Sequence, residues 1–399
     1  MLLTRNIPAI LILLSVAFAS GCTSFTPLPL EEVLDEARIQ TEEAGGLRVS
    51  VAMFNREEAA ALFGVNLHQR GVQPVWLEIE NQSEKSFWFM MHGLDPDYFT
   101  AHEVAYMNHF FMSGEANRQM DDYFSELGIK QQVVPGETVS GFAFSNETIG
   151  TKEVRVRLYS NKDVRTFEFF VSVPGRQSEW EEKDLRDIYS ADDSVPVETE
   201  QELRKVLLTL PCCTIREDGG GEGDAINVVM IGGIDILKAM IKAGWDETAF
   251  KQNLRSLFGA AYFDGRPPDV QFEKTRRAVD STNLLRLWTT PILYKGEIVA
   301  VGSISRNIDP AIDEAAMYLA EDLATAHTVR AFGFVGGVGE ASQDEPRWNF
   351  ANDPYWTNGN RIVLQFADTP TELDQIDMFD WNWKGRKFPG SSTESTSSE

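Results

Sequence analysis

The chain has 399 residues, 43% of them apolar and 24% charged, and a formal charge of −25 at pH 7. That length exceeds what one hydrophobic core usually organises, so two domains with connectors are expected. With 36 basic against 61 acidic residues, the balance argues against a nucleic-acid partner, which needs clustered Lys and Arg to release counterions. Anionic lipid would repel the chain as well, so charge cannot hold it to a membrane.

Residues 1–21 have the pattern of a signal peptide, with Arg5 at the start, an apolar run over 7–18 and the close Ala19-Ser20-Gly21 before Cys22. The close resembles a lipobox, where a peptidase cuts ahead of a lipid-modified cysteine. The apolar run is shorter than the roughly 20 residues that span a bilayer. The mature chain is therefore expected to begin at a lipidated Cys22, whose acyl groups make the membrane a partner. Thr23 follows in place of an aspartate, which resembles outer-membrane sorting and sets the expected location on that membrane's periplasmic face.

Residues 22–45 read as an acidic tether with a short helix, since Leu30, Val33, Leu34 and Ala37 fall at helical spacing. Over 46–174 the apolar pattern changes to period two. Val75, Leu77 and Ile79 alternate with Glu78 and Glu80, and Val154, Val156 and Leu158 alternate with Glu153, Arg155 and Arg157. Such alternation marks strands buried on one face. Further strands are expected over 48–54, 87–91, 139–144 and 167–173, separated by turn residues at 81–83, 135–137 and 160–163. Six or seven short strands predict an immunoglobulin-like β-sandwich. The stretch 94–132 is too long for a loop, and helices over 102–111 and 116–127 are expected to decorate one end.

A linker with helices is expected over 175–210, the last helix covering 200–210. From 211 to 368 the pattern is mixed: strand 225–231, helix 235–243 stopped by Gly244, helix 246–258, strands 284–294 and 297–305 about the turn Lys295-Gly296, helix 311–326, then strands 329–335 and 361–366. Mixed elements predict an α/β layer domain, so the whole chain is expected to be α+β and multidomain. The tail 369–399 carries Phe379, Trp381 and Trp383 and ends in a Ser/Thr/Glu run expected to be disordered.

The run from Phe263 through Asp264-Gly265-Arg266-Pro267-Pro268-Asp269 to Lys274 resembles a signature of the LssY C-terminal domain family. Asn227 to Gly232 with Ala243-Gly244-Trp245, Leu285-Arg286-Leu287-Trp288, Ile308-Asp309-Pro310 with Ile312-Asp313-Glu314, and Asp353 to Gly359 are similar to four further family segments in the same order. Two positions depart from the pattern. The family often has histidine just before the arginine, where this chain has Asn283 and Leu284, and aspartate where it has Asn358. The family is linked to secretion and to envelope phospholipid-associated proteins, so the resemblance implies a fold and a setting rather than a reaction.

Among candidate site residues, Arg266, Asp269, Arg286 and Trp288 form the ligand-binding set, because guanidinium groups suit carboxylate or phosphate and the indole offers a stacking face. Each also has an internal reading, with Arg266 and Asp269 stapling their own loop, Arg286 paired and Trp245 and Trp288 in the core. Asp309, Asp313 and Glu314 ahead of a helix and His327 behind it would supply acid and base to an envelope hydrolase or transferase, although acids at a helix N-terminus also serve as caps. His92, His102 and His109 share the insertion but lack ligand spacing. Cys212 and Cys213 are adjacent, either as a vicinal disulfide or as two thiols. The glycine-rich run 218–224 precedes a strand and is no P-loop. No metal or cofactor is expected. The leading expectation is a non-catalytic, lipid-anchored envelope protein that binds a protein partner, with an enzyme or a small-anion binder as alternatives.

Overall fold

The computed structural model describes residues 25–148, 150–175, 188–233, 235–248, 261–276, 281–307, 309–350 and 352–382. Cys22, Trp180, Ile308, most of the helix expected over 246–258 and the tail from 383 lie outside the described residues. The chain divides into two compact units, Met1–Thr148 with Lys152–Arg176 and Ile149–Thr151 with Gln177–Glu399. It is multidomain, β-rich and of mixed α+β character.

Among the described residues, eight strands build the first unit: β1 (Gln40–Ala44), β2 (Leu47–Met53), β3 (Val72–Asn81), β4 (Phe87–Phe89), β5 (Gln132–Val133), β6 (Thr138–Asn146), β7 (Thr151–Ser160) and β8 (Asp163–Ser172). They form two four-stranded sheets in the orders β1-β2-β3-β6 and β5-β4-β7-β8. Val75, Leu77 and Ile79 from one sheet share a core cluster with Phe87, Phe89, Val154, Val156 and Leu158 from the other. Period-two alternation thus places these side chains between the sheets.

The opposite face of the first sheet is apolar too. Ala52, Phe54, Trp76, Phe142 and Phe144 pack there against helices α1 (Arg56–Phe63), α2 (Ala101–Met107) and α3 (Gly114–Leu127). The helices therefore cover a sheet face and do not decorate one end, the place expected from sequence. The aromatic residues explain the difference, because leaving them uncovered would expose a large apolar surface. The expected tether also contributes. Phe25 meets the Tyr123 ring edge-on at 5.6 Å, Leu28 N–H donates to the Ala61 carbonyl at 2.9 Å, and Gln40–Ala44 is an edge strand.

The second unit contains β9 (Val195–Val197), β10 (Val228–Ile231), β11 (Asp246–Glu247), β12 (Val270–Arg276), β13 (Ser281–Tyr294), β14 (Glu297–Arg306), β15 (Val329–Gly336), β16 (Arg347–Trp348), β17 (Pro354–Tyr355), β18 (Asn360–Phe366) and β19 (Asp377–Met378). Its helices are α4 (Glu200–Leu207), α5 (Asp235–Lys242) and α6 (Ile312–Thr325). Among the described residues, nine strands join one sheet in the order β11-β12-β13-β14-β10-β18-β15-β19, with β9 paired to the end of β13. Most neighbours are antiparallel and the central β10–β18 pair is parallel. The sheet of this domain is thus a mixed one. Hairpins account for it: Lys295 and Gly296, both at positive φ, turn β13 directly into β14.

Both faces of this sheet are covered. Val228 and Met230 point to a cluster with Ile236 and Met240 of α5 and Leu319 and Leu323 of α6. Val229 and Ile231 point to another with Leu203 and Leu207 of α4 and with Phe379. Double-sided cover is why β10 reads as an unbroken apolar run. Among the described residues, no helix is long and apolar enough to cross a membrane.

Candidate functional site

A cleft of about 240 Å³ opens in the second unit, lined by Asp224, Ser303, Ser305, Arg306, Asp309 and Tyr355 among others. Its walls come from the end of β14, the loop leading into α6 and the β16–β17 turn, which meet because β10, β14 and β18 are neighbours.

Arg306 is held on three sides. Its Nε donates to Asn283 Oδ1 at 2.9 Å and its Nη1 reaches Asp309 Oδ2 at 3.5 Å, while the guanidinium lies over the Tyr318 ring, 5.2 Å from its centroid. Asn283 is fully buried, so the position where the family often has histidine here orients an arginine. Asp224, also in the lining, accepts from Arg286 Nη1 at 2.7 Å. Asp224 is thus paired with Arg286 and Asp309 with Arg306, while Asp353 pairs with no cation among the described residues.

Cys212 and Cys213 flank this cleft, joined as a vicinal disulfide. Arg347 Nη2 stands 3.3 Å from Cys212 Sγ and 3.2 Å from Cys213 Sγ. The same guanidinium pairs with Glu222 and donates to the Val338 carbonyl at 2.7 Å. Tyr355 Oη lies 3.9 Å from Cys213 Sγ. Burial first, and the Asp224 and Glu222 carboxylates with it, push the Tyr355 phenol above its ordinary value against the opposing pull of Arg347. The phenol is therefore a hydrogen-bond donor at neutral pH.

Arg361 fixes the segment that carries the cysteines. It is fully buried and donates to the carbonyls of Ile226, Leu207, Leu210, Pro211, Gly336 and Gly337 at 2.6–3.4 Å. Burial lowers its pKa to about 10, which leaves it charged at neutral pH. Pro211 immediately precedes Cys212, so this clamp sets where the sulfurs sit.

The residues singled out from sequence occupy different places. Arg266 donates to Asp269 at 2.7 Å, to Tyr189 Oη at 3.0 Å and to the Thr289 carbonyl at 2.7 Å. Asp269 also accepts from Thr289 N–H, and fully buried Trp288 donates Nε1 to the Arg266 carbonyl at 3.1 Å. These three staple their loop and are not gathered around the cleft. Trp245 is likewise buried and donates to Asp322 at 3.1 Å. Asp313 accepts from Thr357 Oγ1 and Asn358 N–H, both at 2.7 Å, so it fastens the closing turn. Glu314 is exposed. His327 lies past the other end of α6, with Nδ1 3.2 Å from the Thr371 carbonyl; fourteen helical residues at 1.5 Å rise put it about 20 Å from Asp313. The supposed acid and base do not converge. In the first unit, His102 and His109 both approach Asp121, at 3.9 and 2.8 Å, and His92 meets the Tyr98 ring.

Sequence reasoning missed Arg306, Asp309's partnership with it, Arg347, Tyr355 and Arg361. Arg347 reaches sulfurs 134 and 135 positions away, and no local pattern carries such a pairing. No curated protein matches the chain. The stretch 258–360, which contributes Arg306, Asp309, Arg347 and Tyr355 to the site but not the cysteines, matches the family model described as LssY C-terminus.

Proposed function

We propose that the chain is a non-catalytic binding protein of the cell envelope, held by lipid at Cys22 on the periplasmic face of the outer membrane. In this reading the cleft of the second unit receives a donor-bearing segment of a partner protein, such as one presenting a lysine, an arginine or a side-chain amide. The observation that carries it is the lining: with Asp224 paired to Arg286 and Asp309 to Arg306, the Asp353 carboxylate stands in the cleft with no cation among the described residues, and acceptors in a cleft select donors. That remaining carboxylate favours this reading over a small-anion site. Separation of Asp313 from His327 removes the acid–base set on which the hydrolase reading depended.

The first unit is taken as an immunoglobulin-like sandwich serving as spacer. Support comes from strand order, since β2-β3-β6 facing β5-β4-β7-β8 fits A-B-E facing C′-C-F-G in that architecture. Affinity purification of the anchored chain tests the binding function. Partners recovered with the wild type should be lost with Asp309→Asn combined with Asp353→Asn. Recovery unchanged by the double substitution would refute the cleft as the docking site.

A further inference from the structure

We propose that Cys212–Cys213 is a thiol–disulfide exchange site that takes a dithiol as its co-substrate. The inference is independent of what occupies the neighbouring cleft. A structural disulfide acts mainly by closing a loop in the unfolded chain, and its contribution grows with loop length. A bridge between adjacent residues closes almost no loop, so a staple role gives it little to do. A metal site is disfavoured as well. The ligand atoms of Cys212, Cys213 and Glu222 lie within 4.8 Å of one another, but the Arg347 guanidinium contacts all three and puts a positive charge where a metal ion would sit.

What remains fits exchange chemistry. Cys213 is 4% exposed while Cys212 is half-buried, so an incoming thiolate reaches Cys212 Sγ. Its attack forms a mixed disulfide with Cys212 and breaks the Cys212–Cys213 bond, and the electron pair of that bond goes to Cys213 Sγ. The resulting thiolate is received by Arg347 Nη2 at 3.2 Å and by the Tyr355 hydroxyl at 3.9 Å. A cation and a donor at the leaving sulfur accelerate this step by lowering the leaving thiol's pKa. The second thiolate of the dithiol then attacks its own linked sulfur, expelling Cys212 as thiolate. Two electrons pass to the cysteine pair, the dithiol becomes its disulfide, and the two protons it gives up end on the cysteines or in water. The Arg361 clamp on Pro211 holds the sulfurs against Arg347 throughout.

The test uses the full chain carrying Cys22→Ala, so that only the pair reports. The air-oxidised, folded protein should show no iodoacetamide-reactive thiol, and dithiothreitol should release two. Arg347→Gln should slow that reduction roughly three- to tenfold, and Arg347→Lys should restore part of the rate. In single variants, Cys212 in Cys213→Ser should form a mixed disulfide with glutathione disulfide about tenfold faster than Cys213 does in Cys212→Ser. Circular dichroism identifies any variant that fails to fold, in which case the Lys and single-Cys variants decide. Two reactive thiols before reduction, thiols released only after unfolding, a reduction rate indifferent to both Arg347 variants, or equal reactivity of the two cysteines would each overturn the proposal.

Discussion

Arg361 has no carboxylate partner among the described residues, yet it is charged and wholly interior. Six carbonyls replace its hydration, which is what makes a buried guanidinium tolerable. Arg361→Met should therefore cost about 3–5 kcal/mol, since six carbonyls lose their donor, and Arg361→Lys should recover little because an ammonium cannot span the fork. Urea unfolding measures both, and a shift under about 1 kcal/mol for Arg361→Met would contradict the clamp. Gly337 belongs to the same device: its φ is 126°, and a Cβ there would stand 2.2 Å from Arg361 Nη1. Asp313 shows how far residue type alone leads. Its carboxylate drew a catalytic reading from sequence, but its two bonds go to Thr357 and Asn358, more than forty positions on. Asp313→Ala should lower stability by about 1–3 kcal/mol and leave partner recovery in the affinity experiment unchanged; loss of partners from a chain of native stability would give Asp313 a binding role instead.

At the scale of elements, long patterned segments were legible. The β13–β14 hairpin, α6 and β18 lie where their periodicity and turn residues place them, because each has enough residues to express a period. Elements without that length were not. β9 is three residues, Val195–Val197, and is a strand only because Tyr294, Leu293 and Ile292 pair with it. β1 is exposed along its length, so no apolar signal marks it. Asp246–Glu247, expected to begin a helix, instead pairs with β12. Capping is readable at this scale and testable. Thr199 and Glu202 form a capping box at the start of α4, and hydrogen bonds from the Thr199 and Glu198 backbone lower the Glu202 pKa below its ordinary 4.5. A carboxylate whose pKa is lower folded than unfolded stabilises above 4.5 and loses that contribution as pH falls through the folded value. Thr199→Ala should cost about 1 kcal/mol near neutrality and less in acid below the Glu202 transition, as read by urea midpoints at the two pH values. A penalty that stays constant would separate the cap from the carboxylate.

For the whole molecule, composition and the N-terminal pattern gave the expected setting, while the cleft was beyond reach of sequence. Its lining spans 224 to 355 and exists only because the parallel β10–β18 pair and the β10–β14 pair bring those segments together. The family match covers 258–360, and the cysteine pair and Asp224 lie outside that stretch. The anchoring reading predicts that a clickable fatty acid labels the wild type in cells and that Cys22→Ala abolishes label and moves the chain to the soluble fraction; persistent labelling would contradict it. Binding of a partner through the cleft of the second unit, as proposed, is tested by placing a photo-crosslinking amino acid at exposed Asn307 on the cleft, with Lys162 in a first-unit turn as control. A discrete protein adduct from position 307, weakened by Asp309→Asn with Asp353→Asn and absent from position 162, is the predicted result. No adduct at 307, or one indifferent to the two acids, would contradict it.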